Sequence, residues 1–181
     1  MKILFFFLVT SFVADNILIW FFQRHPYRLG IIHAYFLMEY IFIISIISIW
    51  QESHWMRRIF QALILLYILF WIVAKLTFEP LSGSFSLTAS ISQVILSLGA
   101  GYTLFVVIGN RIQTLIHYDR FWVLLSFVIY YAGTLLFIAL REILIHYSIE
   151  TFFFVNSIDW SLKILFNVLF VKGFLCPQTQ T

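Results

Sequence analysis

Residues 59–76 read IFQALILLYILFWIVAKL, an eighteen-residue run in which Lys75 is the single charge. A helix needs about 20 mainly apolar residues to cross roughly 30 Å of hydrocarbon. A buried strand needs only about 4–8, so a run of this length reads as a membrane helix. Working outward, polar punctuation divides the chain into five further runs of the same kind. Ile3–Phe22 ends at Gln23-Arg24-His25-Pro26, where the proline stops a helix. Leu29–Trp50 is followed by Gln51–Arg58, a polar loop. On the far side, Glu79-Pro80-Leu81-Ser82-Gly83-Ser84 is turn-rich, and Ser86–Ile108 runs to Gly109-Asn110-Arg111. Phe121–Leu140 runs to Arg141-Glu142, and a last segment extends from about Asp159 to Leu175. The pattern predicts an all-α fold: a polytopic transmembrane helical bundle of six helices, forming a single domain over residues 1–181.

Composition excludes the soluble alternative. Of 181 residues, 62% are hydrophobic, 20% aromatic and only 10% charged. The mean hydropathy is +0.99. Soluble domains carry about 25% charged residues. The net charge of +3 comes from scattered Lys and Arg, with no run that could follow a phosphate backbone, so no nucleic-acid partner is expected. Cys176 is the one cysteine, which excludes an internal disulfide and any multi-cysteine metal site.

Two stretches fit no span. Ile112–Tyr118 is short and amphipathic, which predicts an interfacial segment or an extension of the fourth helix. Ile143–Val155 mixes apolar residues with His146, Ser148 and Glu150, and reads as an extension of the fifth helix followed by a membrane-dipping loop. With six spans, Lys2, Arg57, Arg58, Arg111, Arg120 and Lys172 fall on the side of the termini. Arg24, Arg28, Lys75 and Arg141 fall on the other. The excess predicts cytoplasmic termini. Trp20, Trp50, Trp55, Trp71, Trp122 and Trp160 all lie near predicted helix ends, as an aromatic belt requires. Lys2 and Ile3–Val13 look like the start of a secretory signal, but Phe12 stands where cleavage after Ala14 needs a small residue. The first helix is therefore expected to be retained.

Ionisable groups at membrane depth cost about 2.5–3.5 kcal/mol each on insertion scales, so each needs a reason. Asp15, Glu39 and Lys163 are the three that stand out, at depths that would let two acids and a base meet in the outer half of the bundle. Tyr35, one turn before Glu39, could hydrogen-bond its carboxyl group. Asn156, Asp159, Lys163 and Asn167 recur at helical spacing as one polar stripe. Asp15, Glu39, Tyr35, Asp159, Lys163 and Asn167 are thus the candidate ligand-binding or ion-pathway residues. The plainer reading is a cluster that only fixes helix register.

The fourth span carries Ser86, Ser90, Gln93, Ser97 and Gly101 on one face, and the fifth carries Ser126, Tyr130, Gly133 and Thr134. Small and polar residues at these spacings are ordinary glue between membrane helices, so Ser90, Gln93, Ser97, Gly101 and Gly133 are assigned to helix packing. A lysine in the last helix also suits a Schiff base with an aldehyde chromophore, but snorkelling beside Asp159 accounts for it more simply. No His-Glu-x-x-His, Gly-x-Ser-x-Gly or phosphate-binding loop occurs, and the five histidines match no metal spacing. No catalysis, metal or cofactor is expected.

His33-Ala34-Tyr35 leading to Glu39-Tyr40 carries a family likeness. So do the Phe78–Leu87 turn before a Ser-rich helix, and the ending from Trp160 through Asn167 to Gly173-Phe174-Leu175-Cys176. On these residues the chain resembles a family of uncharacterised bacterial multi-pass membrane proteins. The resemblance implies about seven helices, so this chain looks like an N-terminally short member in a bacterial inner membrane. It implies no activity.

The functional expectation is a small integral membrane protein acting as a sensory or accessory module. Its cluster would take a proton or small ligand, and its loops Gln51–Arg58 and Gly109–Arg120 would meet a membrane or cytoplasmic partner. The alternative is a small transporter or channel subunit working as a homo-oligomer.

Overall fold

The computed structural model describes residues 28–81, 87–145 and 149–176. Over these residues the chain is helical and has no strand. In order come α1 (Arg28–Trp50), α2 (His54–Thr77), α3 (Leu87–Arg111), a 3-10 turn (Ile112–His117), α4 (Asp119–Ile145) and α5 (Ile149–Leu175). Four segments are long and apolar enough to cross a membrane: Gly30–Trp50, His54–Thr77, Leu87–Asn110 and Asp119–Leu136. Helices suit that solvent because each satisfies its own backbone hydrogen bonds.

These four are the second to fifth expected spans, each within a few residues of its expected limits except that α2 begins five residues early and α4 runs five residues on. The expected first span, Ile3–Phe22, lies outside the described residues. The last helix departs most from expectation. α5 begins at Ile149, ten residues before the expected start. Of the stretch read as an extension and a dipping loop, residues 143–145 do extend the fifth span as the end of α4, residues 149–155 form the first turns of α5, and the three between lie outside the described residues. Glu150 interrupts the apolar pattern in the first turn of α5 without interrupting its backbone hydrogen bonding. The 3-10 turn follows Arg111 directly, so Ile112–His117 extends the fourth expected span.

The chain forms two compact units, divided after Ser92 within α3. In the first, α1 and α2 pack as an antiparallel hairpin around a three-residue connection, Gln51-Glu52-Ser53. Ser48 donates to the Arg57 carbonyl at 3.3 Å near the connection, and Tyr40 donates to the Leu63 carbonyl at 3.2 Å further along. α1 buries Tyr40, Ile43, Ile44, Ile46 and Ile47. α2 buries only Phe60, Tyr67 and Ala74, one residue per heptad, and leaves Leu65, Leu66, Leu69 and Leu76 outward. Water would penalise that face, but lipid does not. α2 ends because Pro80 cannot continue it. The Glu79 amide then closes the last turn on the Ala74 carbonyl at 2.8 Å.

In the second unit α4 and α5 pack along an aromatic seam. Phe127 stacks on Phe166 with centroids 6.0 Å apart and meets Phe170 at 6.0 Å, while Tyr130 meets Phe166 at 4.9 Å. Two glycines let the helices approach closely. A Cβ on Gly133 would lie 2.5 Å from Leu162 Cδ1, and one on Gly173 would lie 2.8 Å from Val123 Cγ2. Thr134 of α4 donates to Gln93 Oε1 of α3 at 2.9 Å, joining the two polar stripes.

Candidate functional site: a buried ionic cluster on α1, α2 and α3

Three buried ionisable side chains, His33, Lys75 and Glu79, gather where α1 begins, α2 ends and α3 begins. His33 lies one turn into α1, Lys75 in the last turn of α2, Glu79 just beyond it and Thr88 in the first turn of α3. Their side chains are 6%, 5% and 11% exposed for His33, Lys75 and Glu79, and Thr88 is 1% exposed. Local chain geometry builds the arrangement. The turn that returns the Glu79 amide to Ala74 also brings its carboxylate back to Lys75, with which it forms a salt bridge. Each charge sits at the helix end that favours it, the cation at a C-terminus and the anion at an N-terminus.

The hydrogen bonds close into a network. Glu79 Oε2 accepts the Thr88 amide at 3.2 Å, satisfying one of the orphan donors of α3's first turn. Glu79 Oε1 accepts the Thr88 hydroxyl at 2.9 Å. The Lys75 ammonium donates to Glu79, lies 3.1 Å from His33 Nδ1 and is 3.4 Å from Thr88 Oγ1. An ammonium has three donors and no acceptor. His33 Nδ1 must therefore be the acceptor, which places the imidazole proton on Nε2 and makes His33 neutral here. Tyr67 continues the polar line by donating to the Thr88 carbonyl at 3.0 Å, and the Tyr40 ring lies tilted against it with centroids 4.0 Å apart.

This geometry has a specific chemical consequence. A second proton on His33 would set two cations 3.1 Å apart, with Glu79 Oε1 4.0 Å from the same nitrogen. At an effective dielectric constant near 20, the repulsion is about 5 kcal/mol and the attraction about 4 kcal/mol. A doubly protonated His33 would therefore share the Glu79 carboxylate with Lys75.

The residues expected from sequence distribute differently. Glu39 is buried in α1 and Tyr35 is half-buried one turn before it. Asp159 and Lys163 fall in the second unit, where they form an i,i+4 ion pair at 2.8 Å with the lysine 46% exposed. Lys163 Nζ also lies 5.6 Å from the Trp160 ring centre. Asn167 is exposed and donates to the Lys163 carbonyl at 2.8 Å. Asp15 lies outside the described residues. Of the packing set, Gln93 and Gly133 lie at the contacts described above, while Ser90 and Ser97 are half-buried. A Cβ on Gly101 would meet nothing within 4 Å among the described residues.

Sequence reading passed over Lys75 and Glu79 by counting Lys75 among the charges at the end of the third span and placing Glu79 in the turn that follows it. The usable signal was Lys75 itself, the sole charge in its apolar run. Among the described residues no group of three or more His, Cys, Asp or Glu could hold a metal ion.

Over the described residues, the class this architecture defines is an all-helical protein with four helices long and apolar enough to cross a membrane. Comparison with known protein families, with curated proteins and with solved structures gave no match.

Proposed function

We propose that this protein is a multi-pass inner-membrane sensory or accessory module whose His33–Lys75–Glu79–Thr88 cluster responds to protons. The observation that carries the reading is a buried imidazole 3.1 Å from an ammonium that is already committed to a carboxylate. Histidine is the side chain whose ordinary titration falls in the physiological range, so it is the natural input. The output is the N-terminal turn of α3, because Glu79 holds the Thr88 amide and hydroxyl. With the positive loop Gln51–Arg58 cytoplasmic, the cluster faces the outer side and both termini face the cytoplasm. Gln51–Arg58 and Gly109–Arg120 are then the surfaces offered to a partner.

Hydrogen exchange of the protein in lipid nanodiscs tests this reading. Amides from Thr88 to Ser92 should lose protection between pH 7.5 and pH 5.5, after correction for the intrinsic rate, and His33→Gln should remove the change. Protection independent of pH would overturn the reading. A second reading, a small transporter or channel subunit, is favoured by the Tyr67–Tyr40 pair that extends the polar line from Thr88. Proton flux in proteoliposomes that Tyr67→Phe slows would select it over a sensor.

A further inference from the structure

The end of the second unit opposite Gly133 carries a groove that the ionic cluster does not use. It has a volume of about 720 Å³ and runs between the 3-10 turn and α5. Its walls are Ile116 on one side and Val168, Val171 and Leu175 on the other, all more than half exposed. Lys172 and His117 line the same groove. Residues 167 to 176 present these side chains along about 14 Å of helix.

Neighbouring contacts fix the level of this groove in the membrane. Trp122 donates its indole N–H to the Ile116 carbonyl at 2.9 Å, and Lys172 Nζ lies 4.3 Å from the Trp122 ring centre. A tryptophan and a lysine meeting at a helix end mark the headgroup layer. Arg120 stands close by, its guanidinium 5.8 Å from the Tyr118 ring centre. The nearby carboxylate, Asp119, accepts the Arg120 amide at 2.8 Å in the first turn of α4. Among the described residues Lys172 has no carboxylate within 4 Å, so its charge remains available to an anion.

We infer that this groove is a site for one phospholipid with a net negative headgroup. Its phosphate lies at Lys172 and His117, one acyl chain runs inward along Val171 and Val168, and the headgroup rests on Leu175. The apolar walls require a chain, which a free phosphate lacks. The cationic rim favours a headgroup without a compensating positive charge, so phosphatidylglycerol is preferred over phosphatidylcholine. The site is independent of the proton reading, since it shares no residue with that cluster.

Cys176 supplies the test. It is the one cysteine of the chain and its Sγ lines the groove, 3.6 Å from the Ile116 carbonyl. The headgroup of a bound lipid covers it. In nanodiscs containing phosphatidylglycerol, the N-ethylmaleimide labelling rate of wild type should be several-fold below that of Lys172→Gln. One basic side chain at a membrane surface changes binding to anionic lipid roughly fivefold. Lys172→Arg should restore protection. In phosphatidylcholine nanodiscs the wild-type and Lys172→Gln rates should converge. Comparing variants within one membrane removes the effect of surface potential on the thiol. Native mass spectrometry should find one phosphatidylglycerol retained per wild-type chain and none on Lys172→Gln. Equal labelling of wild type and Lys172→Gln in phosphatidylglycerol would overturn the site. So would equal protection by inorganic phosphate without lipid.

Discussion

Replacing Lys75 by methionine tests whether the buried pair is coupled as the geometry requires. The side chain keeps its length and apolar stem but loses its charge, leaving Glu79 without that cation at 11% side-chain exposure. Breaking a buried ion pair by removing one partner costs about 3–5 kcal/mol, because the other charge is left uncompensated. Here Glu79 retains the Thr88 amide at 3.2 Å and the Thr88 hydroxyl at 2.9 Å, and the dipole of α3 still favours it. The loss therefore falls at the low end, about 3 kcal/mol, which is more than a hundredfold in the folding equilibrium. Lys75→Met combined with Glu79→Gln removes both charges and should recover about 2 kcal/mol of that loss. The assay is reversible unfolding by dodecyl sulfate in mixed micelles, followed by helical circular dichroism, over the full double-mutant cycle. A Lys75→Met loss below about 0.5 kcal/mol, the scale of an exposed pair, would refute the reasoning. So would a double variant no more stable than the single.

Gly133→Val should cost about 1–3 kcal/mol, since its Cβ would lie 2.5 Å from Leu162 Cδ1, whereas Gly101→Ala should be neutral within about 0.5 kcal/mol; thermal unfolding of the two variants compares them directly. Tyr67→Phe removes the hydrogen bond to the Thr88 carbonyl at 3.0 Å and should cost about 0.6–1.7 kcal/mol, the range of interhelical hydrogen bonds in membrane proteins, read in the same unfolding assay. Lys163→Met should change stability by less than about 0.5 kcal/mol, because that lysine is 46% exposed and its pair with Asp159 is within one helix; a larger loss would show that Lys163 has a buried partner.

The helices were legible in the sequence because lipid imposes one simple rule, and runs such as Ile59–Leu76 obey it. Their ends were less legible. His54–Arg58 form the first turn of α2 although they read as loop, because a helix continues into the headgroup layer, where charges are solvated. The start of α5 was missed for a related reason: Glu150 and Ser157 break the apolar pattern without breaking backbone hydrogen bonding. The cluster was hidden by a different feature. Lys75 and Glu79 lie at a helix end, where counting residues along a span assigns them to water. Their burial depends on the turn that folds Glu79 back to Ala74 and on a threonine nine residues further on. Neither is a periodic signal. Glu39 was singled out because depth alone decides its cost, whereas His33 entered only through the likeness carried by His33-Ala34-Tyr35 and Glu39-Tyr40.

The central claim is that His33 is neutral, accepts from Lys75 through Nδ1, and controls the start of α3. Nitrogen NMR of histidine-labelled protein in lipid bilayers, with the His33 signals assigned by their loss in His33→Gln, measures this directly. The account predicts an unprotonated Nδ1 and a protonated Nε2 at pH 7.5, and on acidification a doubly protonated ring whose appearance coincides with a shift of the Thr88 amide. A proton on Nδ1 at pH 7.5, or a Thr88 amide unmoved while His33 titrates, would contradict it.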